Sequence, residues 1–166
     1  MGKGHAIRIG VEAAEGQLIF FSDIDFSVSL NQLPAFINAL RKTDMAIGSR
    51  RLHDSNVIKH QNQLRETLGK SFTMLSNIVL GLNHTDLTCG FKGFKKTAAK
   101  NIFSQQKLNG WAFDSEILFL AHRQHYTVVE VPVIWKNDPL TKVNILRDAP
   151  NSLFSLLRIR LYGLVK

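Results

Sequence analysis

Apolar residues recur in this chain at two spacings, and those spacings predict its elements. Between residues 61 and 82, Leu64, Leu68, Phe72, Leu75, Val79 and Leu82 follow at steps of three and four, which lines them along one face of a long helix. Residues 29–41 repeat the pattern with Leu30, Leu33, Phe36, Ile37 and Leu40, and Pro34 falls early enough to be tolerated in a first turn. Residues 6–14 and 97–103 read as shorter helices, and a further one lies within 111–126, built on Phe113, Ile117, Leu120 and Ala121. The short apolar runs 18–21, 45–49 and 127–135 read as strands, and 88–96 as a short strand with a turn. Pro132 predicts that the 127–135 strand lies at a sheet edge. Strands alternate with helices and no internal repeat or linker interrupts them, so one α/β unit is expected over residues 1–150. Residues 151–166 form a separate amphipathic helix on which Phe154, Leu157, Leu161, Leu164 and Val165 share a face edged by Arg158 and Arg160. Two placements are open for it: docked on its own core, or lying in a bilayer interface.

Composition narrows the partners. With 166 residues, 45% of them apolar, the chain can bury one sizeable core. The net charge of +8 favours anionic partners: phosphates, acidic lipid or nucleic acid. No run reaches the roughly 18 apolar residues of a spanning helix, so the chain is expected to lie on a membrane rather than cross it. Cys89 is the single cysteine, which excludes an internal disulfide, and no apolar leading stretch reads as a signal peptide. A reducing cytosolic setting is expected.

Within this frame, Asp23 and Asp25 stand at the C-terminal end of the first strand, where ligands collect in open α/β sheets. Strand alternation sends both carboxylates to the same side, where they can hold Mg²⁺ or Mn²⁺ against a diphosphate; alternatively, the pair caps the next helix. Arg50, Arg51, Lys59, His60 and Arg65 form a basic group after the second strand, and Lys142 and Arg147 form another before the terminal helix. Guanidinium forks suit phosphate oxygens, and two separate groups suggest two phosphate-bearing substrates; each residue taken alone is equally a solvated surface charge. Asp86 is placed to orient an acceptor or act as a base, whereas Cys89 has no partner histidine and reads as a small core residue. Asp114 and Glu116 open a helix, where acidic residues complement the dipole. The six histidines show no zinc-ligand spacing.

Read together, Gly2-Lys-Gly-His-Ala-Ile-Arg8, Phe21-Ser-Asp-Ile-Asp25, Ile47-Gly-Ser-Arg-Arg51, Asp86-Leu-Thr-Cys-Gly-Phe-Lys92, Gly110-Trp-Ala-Phe-Asp-Ser-Glu116 and Glu130-Val-Pro-Val-Ile-Trp135 resemble the polyprenyl-phosphate hexosyltransferases of the GT-A fold, closest to the dolichyl-phosphate β-glucosyltransferase branch. The resemblance implies a Rossmann-like mixed sheet flanked by helices, and inverting transfer of a hexose from a nucleotide sugar, expected to be UDP-glucose, to a polyprenyl phosphate at the cytosolic face of a membrane. It assigns Asp23, Asp25 and Ser27 to the metal, Lys3, Lys142 and Arg147 to the donor phosphates, and Arg50 and Arg65 to the acceptor phosphate. Asp86 takes the position proposed for acceptor activation, with Asp25 beside it in the catalytic set. The family's first β-α units have no counterpart, so the chain is expected to be the C-terminal portion of such a catalytic domain. A non-catalytic relative that binds lipid phosphate or a membrane is the alternative. Nucleic acid is not expected, because no RNA-binding aromatic signature accompanies the charge.

Overall fold

The computed structural model describes residues 2–137 and 145–164, the side chains of 145–150 and 163–164 excepted. Helix α1 spans Lys3–Ala13 and strand β1 Leu18–Phe21; a 3₁₀ turn, Leu30–Gln32, leads into α2, Leu33–Leu40. Strands β2, Met45–Ser49, and β3, Asn56–Lys59, precede the long α3, Gln63–Leu80, which stops at Gly81 in the left-handed conformation that only glycine adopts without strain. Then follow β4, Lys92–Lys95, α4, Lys96–Gln105, α5, Phe113–Arg123, β5, Val128–Pro132, β6, Ile134–Lys136, and α6, Ile145–Leu164.

The main sheet runs in the order β1-β4-β2-β5, with β4 antiparallel to both neighbours and β2 parallel to β5. Alternation along β2 sends Met45 and Ile47 to one face and Ala46 to the other. The first face packs beneath α3, α4, α5 and α6 with Phe94, Phe103 and Phe113; the second is covered by Phe36 and Leu40 of α2 together with Phe91. A small parallel pair, β3 with β6, stands apart from this sheet.

Several expectations change in detail. The strand expected over 127–135 is two strands that break at Val133, whose N–H reaches the Ser49 carbonyl, so the chain leaves the main sheet to join β3. β5 is nonetheless the sheet edge that Pro132 indicated, because its outer side needs no donor. On α3 the buried positions include Thr73 and Ser76, while Leu64 is exposed; Ser76 meets Ser115 of α5 at 3.3 Å, and these small residues let the two helices approach closely. The terminal helix begins at Ile145, so the boundary expected at residue 151 falls inside α6. It docks on the core through Leu156 and Ile159 and leaves Leu153, Phe154, Leu157 and Leu161 exposed. The expected positions Leu164 and Val165 fall outside the described side chains.

Candidate active site

The segment following β1 does not continue as a strand. Asp23 donates its N–H to the Gly90 carbonyl at 3.1 Å and accepts the Phe26 N–H at 3.1 Å, closing a turn in which Phe26 has φ +46°. Alternation therefore does not carry the two carboxylates to one side, as the strand pattern predicted; the turn presents them instead. Asp25 is exposed, and its Oδ1 accepts the Ser27 N–H at 3.0 Å. Asp23 faces Lys3, the first residue of α1, whose Nζ lies 2.7 Å from Oδ1. Gly90 makes room for the Asp23 carboxylate, since a Cβ there would overlap it. The turn offers two hard carboxylates, one of them already balanced by an ammonium group, of the oxygen-donor type that small divalent cations take; among the described residues no third His, Cys, Asp or Glu side chain joins them.

Four residues before Gly90 in the same segment, a closed polar network begins. Asp86 is fully buried and holds Arg50 through two parallel bonds, Nε to Oδ2 at 2.6 Å and Nη2 to Oδ1 at 2.8 Å, with the Arg50 N–H adding a third at 3.1 Å. Burial alone would raise the Asp86 pKa, but the Arg50 guanidinium overrides it and brings the carboxyl to about 2. Asp86 is therefore an anion at neutral pH with both oxygens engaged. The Arg50 guanidinium also lies 5.4 Å from the centre of the Trp135 ring.

Glu130, which the sequence offers within a family motif but without a role, holds this network from β5. Its carboxylate accepts the Thr85 N–H at 3.0 Å, the Thr85 hydroxyl at 2.7 Å and the Asp86 N–H at 3.1 Å. Beyond its place in that motif, its signal was one charge in an apolar strand. Lys92, likewise named in a motif without a role, is fully buried in the central strand β4; its Nζ reaches Asp114 Oδ1 at 2.5 Å and the Cys89 carbonyl at 2.7 Å. Asp114 is thus an ion-pair partner as well as a helix-opening residue, and Glu116 accepts the backbone N–H groups of Lys107 and Leu108 at 2.9 and 2.8 Å. Burial and the nearby Asp86 push the Cys89 thiol up to about 11, which keeps it protonated, in line with the core role expected of it.

An open cleft beside the network is lined by Arg50, Arg51, His60, Lys70 and Trp135, with Glu66 the one acidic residue. Arg50, Arg51 and His60 of the expected basic group come together here, whereas Lys59 is exposed on β3 and Arg65 stands on α3 next to Glu66. Lys142 lies outside the described residues, as does the side chain of Arg147.

Comparison with known proteins identifies the family and the fold. The family model described as glycosyl transferase family 2 matches residues 1–103. A dolichyl-phosphate beta-glucosyltransferase of Trichomonas vaginalis is 33% identical over 153 residues, covering 87% of this chain and 46% of the relative. The Homo sapiens enzyme of the same name is 31% identical, covering 81% and 44%. The chain thus spans slightly less than half the length of these relatives. Among solved structures, glucosyl-3-phosphoglycerate synthase from Mycobacterium tuberculosis in complex with UDP superposes with a TM-score of 0.66 at 12% identity, over 98% of this chain and 55% of that one. A structure of that synthase with Mn²⁺, UDP-glucose and glycerol 3-phosphate gives 0.58 at 14% identity, over 98% and 55%. Mannosyl-3-phosphoglycerate synthase from Rubrobacter xylanophilus gives 0.66 at 15%, over 99% and 51%. The mixed sheet flanked by helices is the GT-A, Rossmann-like fold of these proteins.

Proposed function

The chain belongs to glycosyl transferase family 2, and from that premise we propose that it carries the phosphate- and metal-handling face of an enzyme that transfers glucose from UDP-glucose, with inversion, to a polyprenyl phosphate at the cytosolic surface of a membrane. One observation carries this reading. The single segment 86–90 holds Arg50 at its first residue and the Asp23 turn at its last, which sets an arginine-lined cleft beside a carboxylate turn. Those are the two charges that a transfer between a diphosphate donor and a phosphate acceptor requires.

Asp23 and Asp25 are the residues that would hold Mg²⁺ or Mn²⁺, with Ser27 adjoining; the cation would offset charge on the departing diphosphate. Arg50, fixed by Asp86, together with Arg51, draws the acceptor phosphate into the cleft, while Lys70 beside them is paired with Glu66 at 2.7 Å. Arg65, Lys142 and Arg147 are assigned to the surrounding phosphate contacts on the family resemblance. A phosphate monoester, with a second pKa near 6, is already largely dianionic at neutral pH and needs placement rather than a base. Asp86, anionic and engaged through both oxygens, suits that need: it acts through Arg50 as a positioning residue.

The exposed Leu153, Phe154, Leu157 and Leu161 of α6, flanked by Arg158 and Arg160, support contact with a membrane surface. Among the described residues, no helix is long and apolar enough to cross a bilayer.

The test is transfer of labelled glucose from UDP-glucose to a polyprenyl phosphate in detergent, with Mn²⁺ and with EDTA, using this chain and a version extended upstream. Metal-dependent transfer by either supports the reading; no transfer by either refutes it.

A further inference from the structure

We infer that Lys3 is a built-in counter-ion for Asp23, one that a divalent cation must displace, so that the acidic turn holds metal weakly until a donor diphosphate takes over the lysine. The inference rests on the metal-assisted reading of Asp23 and Asp25 and adds to it a reason for metal and donor to bind together.

The positions of four charges carry it. Lys92, Asp114, Lys3 and Asp23 form a row of alternating sign that runs from the core to the turn. Lys92 Nζ lies against Asp114 Oδ1, Lys3 Nζ is 4.0 Å from Asp114 Oδ2, and the same Nζ is 2.7 Å from Asp23 Oδ1. The Lys92 side chain is fully buried and Asp114 nearly so, which anchors the inner end. Lys3 is set at the outer end, with its ammonium 5.4 Å from the centre of the Trp111 ring and 5.6 Å from that of Phe113. The row sums to zero, so Asp23 is already neutralised. Asp25, by contrast, has no cationic partner among the described residues.

A dication brought to Asp23 meets an ammonium at hydrogen-bond distance from the same carboxylate, and two cations that close repel strongly in a partly buried site. Metal binding therefore releases Lys3 from Asp23. A free ammonium beside a bound metal is suited to the oxygens of a diphosphate, so the donor stabilises the displaced state and raises metal affinity in turn.

The experiment measures binding of Mn²⁺ alone to the 166-residue chain without nucleotide, by the electron paramagnetic resonance signal of free Mn²⁺. Lys3→Gln is expected to bind about tenfold tighter than wild type, equivalent to about 1.4 kcal/mol. Lys3→Met, which removes the charge and keeps an unbranched side chain beside the Trp111 and Phe113 rings, is expected to give the same gain, and Lys3→Arg none. Equal or weaker binding in both neutral variants, or no Mn²⁺ bound by any variant, overturns the counter-ion role. Adding Asp25→Asn separates the two ideas. If it abolishes Mn²⁺ binding in wild type while neutral Lys3 variants show no gain, the metal site stands and the counter-ion role alone fails. If it leaves the tighter binding of Lys3→Gln intact, Mn²⁺ sits elsewhere and the metal reading fails with it.

Discussion

The two charged ends of segment 86–90 are built on opposite plans. Around Asp86 every polar group is engaged: the carboxylate is buried, its oxygens accept from Arg50 and Thr88, and Glu130 secures the backbone from β5. Around Asp25 the turn is exposed, with one backbone bond to Ser27. A buried ion pair persists only if its hydrogen bonds are complete, because each charge has lost its water. An exposed carboxylate keeps its water and remains free to exchange it for a ligand. The closed end is thus preset in shape, whereas the open end is completed by what binds there.

The comparison predicts different consequences for the same substitution. Asp86→Ala leaves the Arg50 guanidinium buried without a counter-charge, and the expected loss is about 3–5 kcal/mol of folding stability. Urea unfolding of the variant measures it directly. A loss below about 1 kcal/mol would mean that the network relaxes into solvent and is no more preset than the Asp25 turn.

Acid offers a gentler way to open the same network. The carboxyl of Asp86 lies at about 2 in the folded chain, below the ordinary value of 3.8. A depressed folded value means that the unfolded chain takes up the proton first. Its contribution is therefore complete above about pH 4 and is lost as the pH falls towards 2, a change of about 2 kcal/mol. Thermal melts between pH 5 and 2 should show this slope, set against the same series for Asp86→Asn, in which it is missing.

How far the sequence disclosed these two ends follows from the physics of each. Leu18–Phe21, Met45–Ser49 and the helix over Gln63–Leu80 were legible because their apolar spacing is long-lived and local. Asp23 and Asp25 stood out as a pair, but the strand ends at Phe21, and the turn that follows is tied down by the Gly90 carbonyl and by Lys3, both distant in sequence. Arg50 and Asp86 were each noticed and assigned separate tasks, since nothing in a linear pattern says that residues 36 apart clasp one another. The strand Asn56–Lys59 escaped because it is short and largely exposed, without alternation against a core, and the break at Val133 that separates Ile134–Lys136 from β5 has no local signal. Lys92, within the strand and turn expected over 88–96, gave no sign of its ion pair, because a lysine is buried only when a partner such as Asp114 meets it, and that partner arrives from α5.

The smallest structural effect should come from the residue closest to the proposed metal. Asp25→Ala removes an exposed carboxylate and one bond to the Ser27 N–H, so stability without metal should change by no more than about 0.5 kcal/mol. The difference appears once Mn²⁺ is added. A ligand that binds only the folded state raises the melting temperature according to its concentration over its dissociation constant, so the wild-type chain should melt higher with Mn²⁺ while Asp25→Ala should not. Asp86→Ala supplies the reciprocal case, unstable on its own yet still shifted upward by the ion. If Mn²⁺ stabilised Asp25→Ala as much as wild type, the open turn would not be where the cation sits, and its exposure would reflect surface position alone.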